Sequence, residues 1–228
     1  MALTARIRQA LQLSPVRGTQ VRMLKIHGRT SSANVMKPLW VADELGIPYE
    51  QFDVGGPFGG TDAPDYRAMN PSGLVPTIDD DGFVLWESNA ITRYLCARYG
   101  AGVLWPEDIQ VRALADQWMD WKQTSVMPVI TPIFWGLVRT PPADRDTALI
   151  ARSIKRAGTV FALLDAHLAR HDYVAGSQFS MGDIPLGPQV HRWLNLVPDR
   201  PPTPHLDAWY ARLAQRPAFQ RWCMGPMT

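Results

Sequence analysis

Short apolar segments alternate with turn residues in the first hundred positions, and apolar residues recur every three or four positions afterwards. The first pattern predicts a strand at 24–28, a helix from about 33 to 45 closed by Gly46, and a second strand at 49–54. Strand, helix and strand in this order predict a parallel pair with a right-handed crossover.

Two further strands are indicated at 77–79 and 83–86, because they flank the hairpin signal Asp80-Asp81-Gly82. A short helix at 62–69 precedes them, and a longer helix follows, ending before Gly100. This order, with a proline at the start of the third strand, predicts a thioredoxin-like layer.

The rest of the chain has helical periodicity only. One apolar stripe consists of Ile150, Ile154, Ala157, Phe161, Leu164 and Leu168, and a shorter one of Leu206, Trp209, Tyr210 and Leu213. We therefore predict an α/β fold followed by an all-α fold: a thioredoxin-like domain at 23–101, a linker at 102–108 and a helical domain at 109–228. Residues 1–22 hold four arginines and no acidic residue. We interpret them as a poorly ordered extension, an expression remnant or an upstream start, with a transit peptide as the alternative.

Composition narrows the function classes. The chain has 228 residues, 46% hydrophobic and 19% charged, with a net charge of +2. No dense basic run suggests a nucleic-acid surface, and no apolar stretch reaches the roughly 20 residues that span a membrane. Cys96 and Cys223 form no C-x-x-C pair, so we expect no cysteine-based metal site and a reducing cytoplasm.

Candidate chemistry lies at 70–77, Asn-Pro-Ser-Gly-Leu-Val-Pro-Thr, and at 86–91, Trp-Glu-Ser-Asn-Ala-Ile. A proline entering a sheet cannot donate a ladder hydrogen bond, and a cis Val75–Pro76 bond would leave the N–H and C=O of Val75 free for an extended peptide. Glu87 and Ser88 lie at a helix start, where N–H groups favour an anion. Together they predict a pocket for a small zwitterionic peptide.

Three motifs carry a resemblance to the glutathione transferase family: Asn-Pro-x-Gly-x-Val-Pro at 70–76, Glu-Ser-x-Ala-Ile-x-x-Tyr-Leu at 87–95 and Phe-Ser-Met-Gly-Asp-Ile at 179–184. The resemblance runs from residue 23 to the C-terminus, and the layout is most similar to bacterial theta- and nu-like members. In the third motif Ser180 and Asp183 form a capping box, so we interpret Asp183 as structural and not catalytic.

The resemblance implies an enzyme of detoxification that conjugates the thiolate of reduced glutathione to small hydrophobic electrophiles. It also implies a cytoplasmic homodimer with no metal, nucleic-acid or membrane partner. Two alternatives stay open: a glutathione-dependent disulfide reductase or peroxidase of nu-like type, and a non-catalytic glutathione-binding interaction module.

The resemblance implies six glutathione-binding residues: Asn34, Leu74, Val75, Pro76, Glu87 and Ser88. Family members of this kind stabilise the thiolate with a Tyr, Ser or Cys after the first strand, where this chain has Arg-Thr-Ser-Ser-Ala-Asn-Val. Counting back from Gly46-Ile47-Pro48 by the family's usual helix length aligns Ser32 with the serine of theta- and zeta-like members, and Asn34 and Ser31 are the alternatives. Ser32 could instead cap the helix.

Two departures from the family pattern raise further hypotheses. Leu74 stands where many relatives carry a cation for the glycine carboxylate, so this role would pass to amides of the 55–60 loop or to Lys37. Pro38 inside the first helix would disrupt its first turn and redirect Ser32 and Asn34 into the cleft.

The electrophile pocket is expected on the first long helix of the second domain. Its candidates are Trp118, Trp121, Thr124 and Phe134, with Met127 and Trp135 nearby. Pro128 and Pro132 are expected to bend that helix.

Overall fold

Four strands form one mixed sheet in the computed structural model, which describes residues 23–227. The strands are β1 (Leu24–His27), β2 (Tyr49–Phe52), β3 (Thr77–Asp80) and β4 (Phe83–Trp86), in the order β2-β1-β3-β4. β1 pairs in parallel with β2 and antiparallel with β3, and β3 forms a hairpin with β4. The thioredoxin-like prediction is confirmed, and the expected extension at 1–22 lies outside the described residues.

Nine α-helices complete the described part of the chain. They are α1 (Met36–Leu45), α2 (Pro64–Met69), α3 (Ser88–Tyr99), α4 (Ile109–Trp121), α5 (Met127–Phe134), α6 (Thr147–Leu168), α7 (Gly187–Leu196), α8 (Pro204–Ala214) and α9 (Pro217–Cys223). The predicted stripe on α6 is buried except for Ile154, which is partly buried. Within residues 23–227 no helix is both long and apolar enough to cross a bilayer.

Helix α1 joins the two halves of the molecule. Six consecutive residues, 37–42, are buried, so every face of the helix is covered. The Trp40 ring packs on Phe179 and Phe219 with centroid distances of 5.6 and 4.8 Å. At the other end of the helix, the Asp43 carboxylate accepts from Trp222 Nε1 at 2.7 Å. The helical domain therefore holds the sheet domain through α1.

The structure corrects the start of α1. The helix begins at Met36, three residues later than expected, because residues 30–35 form turns in which the Ser32 carbonyl accepts from the N–H groups of Val35 and Met36. Pro38 is therefore in the first helical turn, where an N–H has no intrahelical acceptor and its loss costs little. The expected disruption by Pro38 is wrong, although Asn34 still lies beside the cleft.

Asp183 organises the start of the buried segment before α7. Its carboxylate is fully buried and accepts from Val174 N–H at 3.1 Å, Ser180 N–H at 3.0 Å and Trp209 Nε1 at 2.8 Å. Ser180 Oγ in turn accepts from Gly182 N–H at 3.3 Å, which completes the expected capping arrangement. Burial raises the pKa of Asp183 to about 6. The residue links three separate segments and lies in the core.

We expect Asp183→Ala to lower the free energy of unfolding by about 3–5 kcal/mol, since three buried donors lose their acceptor. Asp183→Asn should cost less, about 1–3 kcal/mol, because Oδ1 still serves Val174 and Trp209 while the new amide faces the Ser180 N–H. Urea unfolding followed by tryptophan fluorescence measures both, with Asp199→Ala on an exposed turn as the matched control. Equal stability of the Ala variant and the control would contradict this role.

Candidate functional site

Two cavities meet in the cleft between the sheet domain and the helices. The sheet-edge cavity, of about 330 Å³, is lined by Asn70, Ser72, Leu74, Val75, Pro76, Glu87 and Ser88. The helix-side cavity, of about 300 Å³, is lined by Ser31, Ala33, Gly56, Met127, Thr131, Phe134, Arg139, Gln189 and Arg192. Four residues line both cavities: Arg29, Ser32, Asn34 and Trp135. The junction is therefore built mainly by the loop after β1.

Val75 presents a free backbone to the sheet-edge cavity. The Val75–Pro76 bond is cis, and no backbone hydrogen bond engages the N–H or C=O of Val75 within the described residues. The preceding carbonyl, of Leu74, is held by Tyr66 OH at 2.7 Å and Asn70 Nδ2 at 2.8 Å. The buried Asn70 amide thus positions the turn while the next residue remains able to pair with an extended ligand.

Glu87 lies in a conformation that L-residues rarely adopt. Its φ is 71° at the junction of β4 and α3, and its exposed side chain does not cap the helix. Such a backbone costs about 1–3 kcal/mol and is typical of functional sites. The strain places a carboxylate beside the free N–H groups at the start of α3, so a positive and a negative ligand group can bind side by side.

Ser32 and Asn34 both have donors available at the junction. Ser32 Oγ accepts only a long contact from Asn34 N–H, at 3.4 Å, which leaves the hydroxyl proton free to donate. The Asn34 side-chain amide has no partner among the described residues and lines both cavities. Ser31 lines the helix-side cavity only. The two ends of this loop lie close together, since a Cβ at Gly28 would approach Val35 Cγ2 to 2.5 Å.

Lys37 does not reach the ligand side of the cleft. It is fully buried, and its Nζ donates to Ser88 Oγ and to Asn89 Oδ1, each at 2.8 Å. This corrects the expectation that Lys37 holds a ligand carboxylate. The lysine instead fixes the Ser88 hydroxyl and the first turn of α3 from behind.

A second buried lysine, Lys122, lies against Lys37. Burial and the neighbouring Lys122 amine lower the pKa of Lys37 well below its usual value, and burial lowers the pKa of Lys122 to about 8. A neutral Lys37 amine has two protons and one lone pair. The two protons match the acceptors Ser88 Oγ and Asn89 Oδ1, and the lone pair can accept from the Lys122 ammonium. The two lysines can therefore satisfy their hydrogen bonds with a single positive charge between them.

The helix-side cavity uses one face of α5. Met127, Thr131 and Phe134, at i, i+4 and i+7, line it together with Trp135. A π-helical turn lies on each side of α5, at Lys122–Val126 and Trp135–Arg139. Pro128 and Pro132 account for the altered hydrogen-bond ladder here, because neither has an N–H to donate.

Three of the four predicted pocket residues lie elsewhere. Trp118 packs on Trp121 and on His167, with centroid distances of 5.0 and 4.5 Å, and all three line a separate cavity beside α6. Thr124 borders a third cavity, and its hydroxyl donates to the Asp120 carbonyl. The prediction that they share a pocket with Phe134 is wrong, because Trp118, Trp121 and Thr124 face cavities bordered by α6, whereas Phe134 faces the cleft.

Cations at the helix-side cavity were missed from the sequence. Arg29, Arg139 and Arg192 come from the loop after β1, the turn after α5 and helix α7, so no local motif joins them. Burial and the other two guanidinium groups lower the pKa of Arg192 to about 10, which leaves it charged at neutral pH. Gln189 also lines this cavity, and both its amide atoms are buried without a partner. Arg29 lies in the loop after β1, where the family pattern points to hydroxyl and amide side chains and gives no signal for an arginine.

Lys122→Met should stabilise the fold at neutral pH. The pKa of Lys122 is about 8 in the folded protein and its usual value is 10.5, so the unfolded chain binds more protons between these pH values. The destabilisation of the fold by the buried Lys122 charge therefore disappears as pH rises. We expect the variant to gain about 1–3 kcal/mol at pH 7 and progressively less towards pH 10. Denaturant unfolding at both pH values measures this, with exposed Lys155→Met as the control. A pH-independent loss of stability would contradict it.

No group of three or more His, Cys, Asp or Glu side chains within residues 23–227 is arranged to hold a metal ion. Both cysteines are buried in the core, and burial raises the pKa of each thiol. The chemistry available in the cleft is therefore that of hydroxyl, amide and guanidinium donors around two joined cavities.

Comparison with known proteins is consistent with this geometry. Residues 31–98 match the family described as the glutathione S-transferase N-terminal domain, and residues 147–212 match its C-terminal domain. Glutathione S-transferase GstB of Escherichia coli is 43% identical over 208 residues, which cover 90% of this chain and all of the relative. Glutathione S-transferase 3 of Zea mays is 32% identical, covering 87% of this chain and 92% of that protein.

Solved structures give the same result. The theta class glutathione S-transferase from Xanthomonas axonopodis pv. citri, solved with glutathione bound, is 50% identical with a TM-score of 0.87. The match covers 91% of this chain and all of that one. Its apo form has a TM-score of 0.78. On these matches and on its two-domain fold, the chain belongs to the glutathione transferase family.

Proposed function

We propose that the protein is a glutathione transferase that joins the sulfur of glutathione to a small electrophile. The observation that carries this proposal is the junction of the two cavities at Ser32 and Asn34. A thiolate bound there would face a second reactant in the helix-side cavity. Holding both reactants in one cleft replaces a bimolecular encounter with a positioned one.

Each polar group of glutathione has a partner among the residues that line the sheet-edge cavity. The free N–H and C=O of Val75 would pair with its cysteinyl unit, beside Pro76 and Leu74. Its γ-glutamyl amine would donate to Glu87, and its γ-glutamyl carboxylate would accept from Ser88 and the start of α3. The relative from Xanthomonas, which was solved with glutathione bound, supports this assignment.

The reaction is a displacement or an addition at an electrophilic carbon. A free thiol has a pKa of about 8.5, so the site must favour the thiolate. Donation from Ser32 Oγ, with Asn34 and Ser31 as the alternatives, lowers that pKa, and Arg29 adds positive charge. In a displacement the sulfur–carbon bond forms, the carbon–halogen bond breaks, the halide leaves with the electron pair, and the thiol proton passes to solvent.

Three broader features belong to the same proposal. We propose a homodimeric, cytoplasmic enzyme of detoxification, with functional units at 23–101 and 109–228 joined by 102–108. The exposed apolar side chains of Phe83, Val84 and Trp86 on edge strand β4 favour burial against a second copy. We place the electrophile against Phe134, Met127 and Trp135.

Ser32→Ala is expected to lower kcat for 1-chloro-2,4-dinitrobenzene about 100-fold, as removal of one preorganised donor does in other enzymes. The pKa of bound glutathione, read from thiolate absorbance, should rise towards that of the free thiol. Asn34→Ala should have the smaller effect. Ser31→Ala should have the smallest effect of the three, because Ser31 lines only the helix-side cavity.

A larger loss in Asn34→Ala would reassign the thiolate donor to the amide. A wild-type protein that neither binds glutathione nor turns over this electrophile would overturn the proposed function.

Glu87 should affect binding more than chemistry. Glu87→Gln is expected to raise KM for glutathione about tenfold and leave kcat nearly unchanged, since the γ-glutamyl amine loses its charged partner. Glu87→Gly should raise KM similarly. Its free energy of unfolding should be about 1 kcal/mol higher than that of Glu87→Gln, because glycine adopts the positive φ without strain. Steady-state kinetics and urea unfolding measure both. Equal stability of the two variants would refute the strain.

A further inference from the structure

Three guanidinium groups converge on the helix-side cavity. Arg29, Arg139 and Arg192 line it, and its lining includes no Asp or Glu from the described part of the chain. The three lie close together: the charge of Arg139 lowers the pKa of Arg29, and the charges of Arg139 and Arg29 lower the pKa of Arg192. Like-charge repulsion among these groups disfavours the folded state. Binding a purely apolar molecule would not offset that repulsion.

Arg192 and Arg29 are also poorly satisfied by the protein itself. Neither forms an ion pair within residues 23–227, and Arg29 Nε is buried without a partner. The Arg192 guanidinium lies over the Phe134 ring at 3.8 Å from its centroid, which fixes its plane but leaves its N–H donors available. Buried charge of this kind is costly unless a counter-ion arrives.

Gln189 supplies an independent observation. It is fully buried one helical turn before Arg192 on α7 and lines the same cavity. Its Nε2 and Oε1 both lack a hydrogen-bond partner in the protein. Buried amides in native folds are almost always paired, so an unpaired one beside two arginines indicates a polar ligand group.

We propose that the helix-side cavity selects electrophiles that carry a carboxylate, which the Arg192 guanidinium binds with help from Gln189 while the reactive carbon faces the Ser32–Asn34 junction. This inference rests on the proposed transferase function. The apolar side of the cavity, Met127, Phe134 and Trp135, accommodates the body of the substrate. At about 300 Å³ the cavity suits a one-ring acid.

Glutathione itself carries carboxylates, but the arginines lie on the wrong side of the junction for them. Arg139 and Arg192 line only the helix-side cavity, whereas Val75, Glu87 and Ser88 line only the sheet-edge cavity. Of the three arginines, only Arg29 lines both cavities. An effect of Arg192 on the electrophile and not on glutathione therefore distinguishes the two ligands.

The test compares 4-chloro-3,5-dinitrobenzoate with 4-chloro-3,5-dinitrobenzamide, which share a leaving group and nearly a shape but differ in charge. We expect wild-type kcat/KM, corrected for uncatalysed reactivity, to favour the acid by about tenfold at low ionic strength and less at high salt. Arg192→Gln should abolish this preference while the amide is still turned over. Arg192→Lys should keep part of it, and Arg156→Gln on the exposed face of α6 should change nothing.

Each outcome decides the inference. Turnover of the amide with no preference for the acid in the wild type overturns it and leaves the transferase function intact. A rise in KM for glutathione in Arg192→Gln, equal with both electrophiles, also overturns it and reassigns the arginine to glutathione. No turnover of either electrophile rejects the transferase function, and this inference with it. If Arg192→Gln does not fold, the salt dependence of the wild-type preference still decides.

Discussion

The complete burial of helix α1 is the constraint on which the rest of the structure depends. Helix α1 packs against α3 and against α9 of the helical domain at once, with residues 37–42 buried between them. The loop before it carries Ser32 and Asn34, and the far end is held by Trp222 through Asp43. A displaced α1 would therefore separate the reacting loop from both cavities, which explains why the site lies where the two domains pack together.

Buried positive charge is the second organising feature. Lys37, Lys122 and Arg192 form a continuous series: Lys122 lowers the pKa of Lys37, Arg192 lowers that of Lys122, and Arg139 and Arg29 at the cavity lower that of Arg192. The lysines are tolerated because Ser88, Asn89 and each other satisfy their amines. The cleft thereby has a positive potential that favours a thiolate and other anions over neutral molecules.

Local sequence rules succeeded where the physics is local. Gly46 has the left-handed conformation that ends α1, Asp80-Asp81-Gly82 forms the hairpin, and Ser180 and Asp183 share the expected hydrogen bonds. They placed the start of α1 three residues before Met36, because hydrogen-bonded turns and a first helical turn satisfy the same backbone groups. They also failed for Trp118, Trp121 and Thr124, since the direction that a residue faces depends on packing against α6.

The sequence by itself determined the family, the order of strands and helices, and the residues at the sheet edge, because each depends on contiguous residues with characteristic backbone preferences. Only the tertiary structure decided that Lys37 is a buried support and that Arg29, Arg139 and Arg192 share one cavity. These residues are up to 163 positions apart (192 − 29). Burial, pKa and charge clustering depend on neighbours that the folded chain alone brings together.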